Sequence, residues 1–231
     1  MNIAIIPARG GSKRIPRKNI KLFAGKPMIG YAIEAALASN TIEHVVVSTD
    51  DEQIAEVARE SGAEVPFLRP AHLADDFTPT VPVIAHAIEA CQALGWSIDY
   101  ACCIYPGVPF IRNEDIEAAL ALLIERGSSG YAFPVAEYPS PIQRALKRDA
   151  NGALAPFDPS QTITRTQDLE PAFYDAGQFY WGSAQGWSEG LDIHANAHSI
   201  ILPASRVVDI DTPDDWARAE ALFAVLDKGG V

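Results

Sequence analysis

The stretch Ile5–Asn19 reads Ile-Ile-Pro-Ala-Arg-Gly-Gly-Ser-Lys-Arg-Ile-Pro-Arg-Lys-Asn. Gly10 and Gly11 let backbone N–H groups approach phosphate oxygens with no Cβ in the way. Arg9, Lys13 and Lys18 supply countercharge. Residues 1–33 hold seven Lys or Arg and no Asp or Glu, a local +7 in a chain whose net charge is −12. A compact cationic patch on an acidic protein suits a small polyanion, and the overall balance argues against general nucleic-acid binding. The plain alternative, a solvated basic face, is disfavoured by the glycines and prolines among the charges. The string is neither a Walker A loop nor a dinucleotide fingerprint, because it lacks Gly-x-x-x-x-Gly-Lys-Ser/Thr and Gly-x-Gly-x-x-Gly.

Asp209 and Asp211 are the second chemical feature. In a strand, residues two apart share a face. Two carboxylates there, opposite bound phosphates, suit Mg2+, which takes oxygen ligands and often bridges to substrate phosphates. Mn2+ has the same preference. The competing reading is a helix start, with Thr212 as cap and Pro213 in the first turn; Asp215 reads as a helix-terminus charge. Cys91, Cys102 and Cys103 form no disulfide or zinc pattern and read as small buried residues. His194 and His198 lack a metal-binding partner pattern and read as surface or loop histidines.

These residues need a scaffold. Ile3–Pro7 reads as a buried first strand, and 27–39 carries apolar residues at helical spacing. Further strands are expected at 44–49, 65–67, 100–105, 131–135, 200–202 and 207–208. Helices are expected around 54–62, 82–94, 115–126 and 214–226. Strand–helix alternation at these spacings predicts an α/β fold with a Rossmann-like, doubly wound, mostly parallel sheet. A loop after the first strand then lies at the ligand end of the sheet. The whole chain, 1–231, reads as one domain. Residues 136–182, rich in proline, read as strands plus a protruding arm of the kind used for dimer contacts or a lid. No apolar run approaches the ~18 residues of a membrane span, and the N-terminus lacks the features of a signal peptide. A cytoplasmic, non-membrane protein is expected.

The string Pro-Ala-Arg-Gly-Gly-Ser-Lys-x-x-Pro-x-Lys-Asn resembles the signature of CMP-sialic acid synthetases and their relatives. The likeness covers nearly the whole chain. It includes Val47–Asp51, the Arg-Pro loop Leu68–Asp76, and Asp209-Ile210-Asp211-Thr212, which is similar to that family's metal-binding acidic pair. Cys102–Tyr105 with Pro109-Phe110, Pro141–Leu146, Thr166–Glu170 and Asp175–Trp181 look most like the branch that activates pseudaminic acid. Sialate-type members carry Gln where this chain has Tyr105, which argues against sialic acid.

The resemblance implies a nucleotide-diphospho-sugar transferase type of fold and the transfer of CMP from CTP to a nonulosonic acid, with pyrophosphate released. The remaining options are another sugar acid (legionaminate, sialate or ketodeoxyoctonate) or a non-catalytic nucleotide-binding protein; the intact loop and acidic pair argue against the latter. The nucleotide contacts implied are Ala8, Arg9, Gly10, Gly11, Ser12, Lys13, Asn19, Arg69, Thr78 and Thr80. For Arg69, a local ion pair with Asp75 or Asp76 is the simpler option. Arg9, Lys13, Lys18 and Asp211 take the catalytic roles, and Asp209 and Asp211 hold Mg2+ or Mn2+. Tyr105, Gln143, Arg144, Arg165, Gln178 and Tyr180 are the candidates for the sugar. On a strand, Phe179 and Trp181 face away from Tyr180, so the three cannot line one wall; core packing and sugar contact both remain open for this run. A homodimer is expected, and no histidine stands out as a general base.

Overall fold

The computed structural model describes residues 1–127, 130–195 and 197–229. Its strands are β1 (Asn2–Pro7), β2 (Leu22–Phe23), β3 (Lys26–Pro27), β4 (His44–Ser48), β5 (Tyr100–Ile104), β6 (Tyr131–Glu137), β7 (Leu146–Arg148), β8 (Leu154–Pro156), β9 (Phe173–Asp175), β10 (Phe179–Ser183) and β11 (His198–Ile201). The α-helices are α1 (Met28–Ala38), α2 (Glu52–Glu60), α3 (Thr80–Ala93), α4 (Asn113–Glu125), α5 (Ala184–Ser188) and α6 (Pro213–Gly229).

The central sheet runs β11-β6-β10-β5-β1-β4, with β9 added beside β6. β1 lies parallel to both β4 and β5. The chain leaves β1 for β4 on one side, then crosses back to β5 on the other. The loops after β1 and β5 therefore diverge, opening a crevice at the carboxyl ends of the strands. β10 is the antiparallel strand of this path, paired with β5 and β6. Mostly parallel order is thus as expected, but the arm returns a strand to the middle of the sheet.

β1 is buried on both faces, and its pleat divides the core. Ala4 and Ile6 join α1, α2 and α4 in one apolar cluster. Ile3 and Ile5 join α3 and α5 in another. Cys102 and Cys103 also fall on opposite faces, and burial pushes all three thiols up, so they act as packing. Phe179 and Trp181 lie in the first cluster and Tyr180 in the second.

A third cluster bears most on the site. Ile15, Phe23, Met28, Phe110, Ile210, Trp216 and Ala219 pack together. The Phe23 ring meets Tyr31, Trp216 and Phe223 edge-on at 5.4–5.7 Å, a favoured aromatic geometry. This cluster ties the loop after β1, the loop after β5 and the segment before α6 to one floor.

Three expectations are corrected. Residues 65–67 form no strand; an isolated bridge from Glu64 to Val46 stands there instead. Residues 207–208 form no strand either, because β11 ends at Ile201 and a short 3-10 turn, Ala204–Arg206, redirects the chain. His198 lies in β11 and not in a loop.

Candidate active site

A cleft of about 620 Å3 opens at the crevice between the β1 and β5 loops. Arg9, Ser12, Lys13, Lys18 and Asn19 line it from the first loop, Tyr105 from the second, and Asp209 and Asp211 from the segment before α6.

Ties to the end of β4 shape the first loop. Gly10 N donates to Asp50 Oδ1 at 3.0 Å. A Cβ on Gly10 would meet Asp51 Oδ2 at 2.7 Å, so glycine here serves close packing against that carboxylate. Its N–H is directed at Asp50 in this structure. Asp51 takes Arg17 through both oxygens, at 2.5 and 3.1 Å, and caps α2 by accepting from Ile54 N. The Arg17 hydrogen bond, followed by the cap, holds Asp51 below the usual carboxylate range. Asn19 is buried and gives its amide to the Arg9 carbonyl at 3.0 Å. Within the basic segment, Arg17 is thus engaged by Asp51, Lys21 lies over the Trp216 ring and Lys26 pairs with Glu34. Arg9, Lys13, Arg14 and Lys18 face the cleft.

These four cations meet acidic groups from two directions. Arg9 lies 2.6 Å from Asp76, and Lys13 pairs with the same carboxylate. Arg14 lies 2.8 Å from Asp211, and Lys18 Nζ lies 3.5 Å from it. Lys18 also donates to the Ile210 carbonyl at 2.5 Å. Its stem crosses the second loop, where a Cβ on Gly107 would come within 3.1 Å of Lys18 Cε. Lys18 therefore touches all three loops.

The acidic pair is not on a strand, contrary to expectation. Other contacts fix it. Arg206 makes a two-pronged pair with Asp115 at the start of α4, and Gln178 donates to the Arg206 carbonyl at 2.6 Å. Thr212 and Asp215 form a reciprocal cap on α6, Thr212 Oγ accepting from Asp215 N while Asp215 accepts from Thr212 N. Thr212 is the cap, as the helix-start reading had it, and Asp215 completes it. Asp211 is free of that duty and belongs to the cleft.

The remaining candidates lie elsewhere. Ala8 is buried, and Gly11 has open space around it. Arg69 is buried beneath the loop and bonds Ser48, not Asp75 or Asp76. Burial lowers its pKa to about 10, leaving it charged at neutral pH. Thr78 bonds Asp75, and Thr80 bonds the Tyr105 hydroxyl at 2.8 Å. Gln178 is buried. The Tyr180 hydroxyl donates to Asp175 Oδ2 at 2.9 Å, and burial pushes its pKa far up, so it stays a donor. Gln143, Arg144 and Arg165 sit on the arm, outside the cleft lining; Arg165 pairs with Asp168.

Sequence reasoning did not single out Arg14 or the turn Tyr174–Gly177 as cleft residues. Asp175 anchors that turn by accepting from Gly177 N at 2.8 Å, with His194 Nε2 3.0 Å from its other oxygen. A carboxylate two residues before a glycine is a turn signal; its place beside the loop after β1 is a tertiary fact.

A family profile described as cytidylyltransferase matches residues 3–169. The chain belongs to the cytidylyltransferase family. It is 42% identical to a pseudaminic acid cytidylyltransferase of Campylobacter jejuni, over 97% of each chain. It is 34% identical to the CMP-N,N'-diacetyllegionaminic acid synthase of Legionella pneumophila, over 96% of this chain and 95% of that one. Among solved structures, a CMP:2-keto-3-deoxy-manno-octonic acid synthetase complexed with CTP superposes with a TM-score of 0.69 at 18% identity, covering 96% of this chain and 98% of the other. That likeness is one of fold. It agrees with the α/β nucleotidyltransferase architecture expected of a cytidylyltransferase-family chain. Among the described residues, no helix is long and apolar enough to cross a membrane.

Proposed function

We propose that this chain transfers CMP from CTP to a nonulosonic acid, pseudaminic acid in the first place, and releases pyrophosphate. One observation carries the reading: four loop cations and the pair Asp209 and Asp211 line a single cleft at the switch point of the sheet. The relatives support the choice of sugar.

In this reading Arg9, Lys13 and Lys18 take the phosphate oxygens and stabilise charge on the leaving pyrophosphate, so most of the acceleration is positioning and electrostatics. Gly11 and Ser12 let the triphosphate approach the backbone. Ala8, Gly10, Asn19, Arg69, Thr78 and Thr80 are the further nucleotide contacts proposed. Asp209 and Asp211 fit Mg2+ or Mn2+, since both are hard oxygen donors on the cleft wall. Mg2+ sites typically use one or two carboxylates completed by substrate phosphates and water. When bound, the ion neutralises phosphate charge and lowers the pKa of the attacking hydroxyl.

The sugar end is assigned to Tyr105 and Asp175, which line the cleft, with the Tyr180 hydroxyl donating to Asp175 behind them. The arm within 136–182 serves a second copy of the chain. Ile142, Leu146, Leu154, Phe157 and Ile163 are exposed along it, beside Gln143, Arg144 and Arg165. The reaction is assigned to the cytoplasm, where CTP is made, and the whole chain to one domain.

The test is mass spectrometry of the purified protein with CTP, Mg2+ and pseudaminic, legionaminic, sialic or ketodeoxyoctonic acid. A CMP conjugate formed fastest with pseudaminic acid is expected. A conjugate with another acid alone removes the sugar assignment, and no conjugate with any acid removes the transferase reading.

A further inference from the structure

We propose that Asp76 sets the affinity of the cleft for triphosphate and pyrophosphate by competing for Arg9 and Lys13; the inference rests on the nucleotidyltransferase reading. Each oxygen of the Asp76 carboxylate takes one of these cations. Arg9 Nη1 lies 2.6 Å from Oδ1, and Lys13 bonds Oδ2. One carboxylate thus engages both cations much as two phosphate oxygens would. The Lys13 hydrogen bond, with that of Arg9 behind it, holds the Asp76 carboxyl below the usual range. The competitor therefore stays ionised wherever the triphosphate is fully charged.

A purely structural role would require the loop to depend on Asp76, and its neighbour does that work. Asp75 accepts from Phe77 N at 2.9 Å, from Thr78 N at 2.7 Å and from Thr78 Oγ at 2.7 Å. Arg9 separately donates to the Asp75 carbonyl at 2.8 Å. With the Asp76 charge removed, the turn persists, Lys13 is released, and Arg9 loses its charged partner while keeping the Asp75 carbonyl. Lys13 is the looser of the two, with 77% of its side chain exposed. A multiply charged triphosphate displaces a single exposed carboxylate, and each exposed pair is a weak opponent. Asp76 then lowers affinity without abolishing binding. After reaction the same carboxylate retakes the cations as pyrophosphate departs.

The test compares the full chain with Asp76→Asn and Asp76→Glu by isothermal titration of CTP and, separately, inorganic pyrophosphate, with no sugar acid present. Asp76→Asn is expected to bind both about threefold to tenfold more tightly, with a melting temperature lowered by no more than about 8 °C. The gain should shrink as salt is raised. Asp76→Glu keeps the charge and should stay near the parent. Equal or weaker binding by Asp76→Asn, or a gain independent of salt, overturns the proposal. A parent that binds neither ligand defeats the nucleotidyltransferase reading itself, whereas a parent that binds and an indifferent variant defeat only the role of Asp76.

Discussion

Asp211→Asn separates chemistry from architecture. The Asp211 carboxylate stands between two cations of the loop after β1, with Arg14 Nη1 at 2.8 Å and Lys18 Nζ at 3.5 Å. Thr212 and Asp215 cap the following helix, so the substitution leaves the helix start untouched. Asparagine keeps the size and removes the charge. The two pairs are partly open to solvent, where each is worth about 0.2–1 kcal/mol. Stability should fall by no more than about 2 kcal/mol, or about 4–8 °C in Tm for a chain of this length. Catalysis should lose far more, because removing one preorganised electrostatic group from a reacting centre costs about 100- to 1000-fold. The kinetics should also divide: with Arg14 and Lys18 released, KM for CTP holds or falls while kcat carries the loss. The assay is steady-state pyrophosphate release over a Mg2+ series, beside a thermal melt. Full activity with unchanged Mg2+ dependence refutes the metal assignment. Lost activity with a Tm fall beyond about 10 °C makes Asp211 a structural residue instead.

Lys18→Ala removes the side chain that joins the three loops; kcat/KM should fall about 100-fold, while Tm drops by less than about 6 °C. An unchanged rate at saturating and subsaturating CTP would remove Lys18 from the site. Arg165→Ala, on the arm, should leave Tm within about 2 °C and alter the KM for the sugar acid or the dimer equilibrium; a sharply lower Tm with untouched kinetics would make it a fold residue. The Asp51 carboxyl is depressed in the folded chain, so its contribution is present above the unfolded carboxylate pKa and is lost as pH falls through the folded value. Asp51→Asn should therefore melt lower than the parent at pH 7 and converge on it near pH 2. A gap between the two melts that does not change with pH would show that the Arg17–Asp51 pair adds nothing.

The alternation of strands and helices was readable because it is local: β-branched and apolar runs, helical spacing and turn residues all lie within windows of a dozen positions. The antiparallel place of β10 was not, since Phe179–Ser183 is apolar enough for any central position and only pairing with β5 and β6 decides its direction. The same holds for Arg69, for which an ion pair with Asp75 or Asp76 was the alternative to a nucleotide contact, and whose side chain instead bonds Ser48 at the end of β4. Seven cations within the first 33 residues were visible, but which of them face the cleft depends on Asp51, Glu34 and Trp216, which are remote in sequence from most of them. The acidic pair shows how a right spacing arises from a different cause. The strand expected around Asp209 and Asp211 is absent, yet both residues line the cleft. Ile210 between them is 1% exposed and anchored in the cluster with Ile15, Phe110 and Trp216. Burial of the middle residue accounts for the i, i+2 pattern, with its neighbours left at the cleft wall. Ile15 and Phe110 belong to the other two loops, so one apolar floor sets the register of cations against carboxylates.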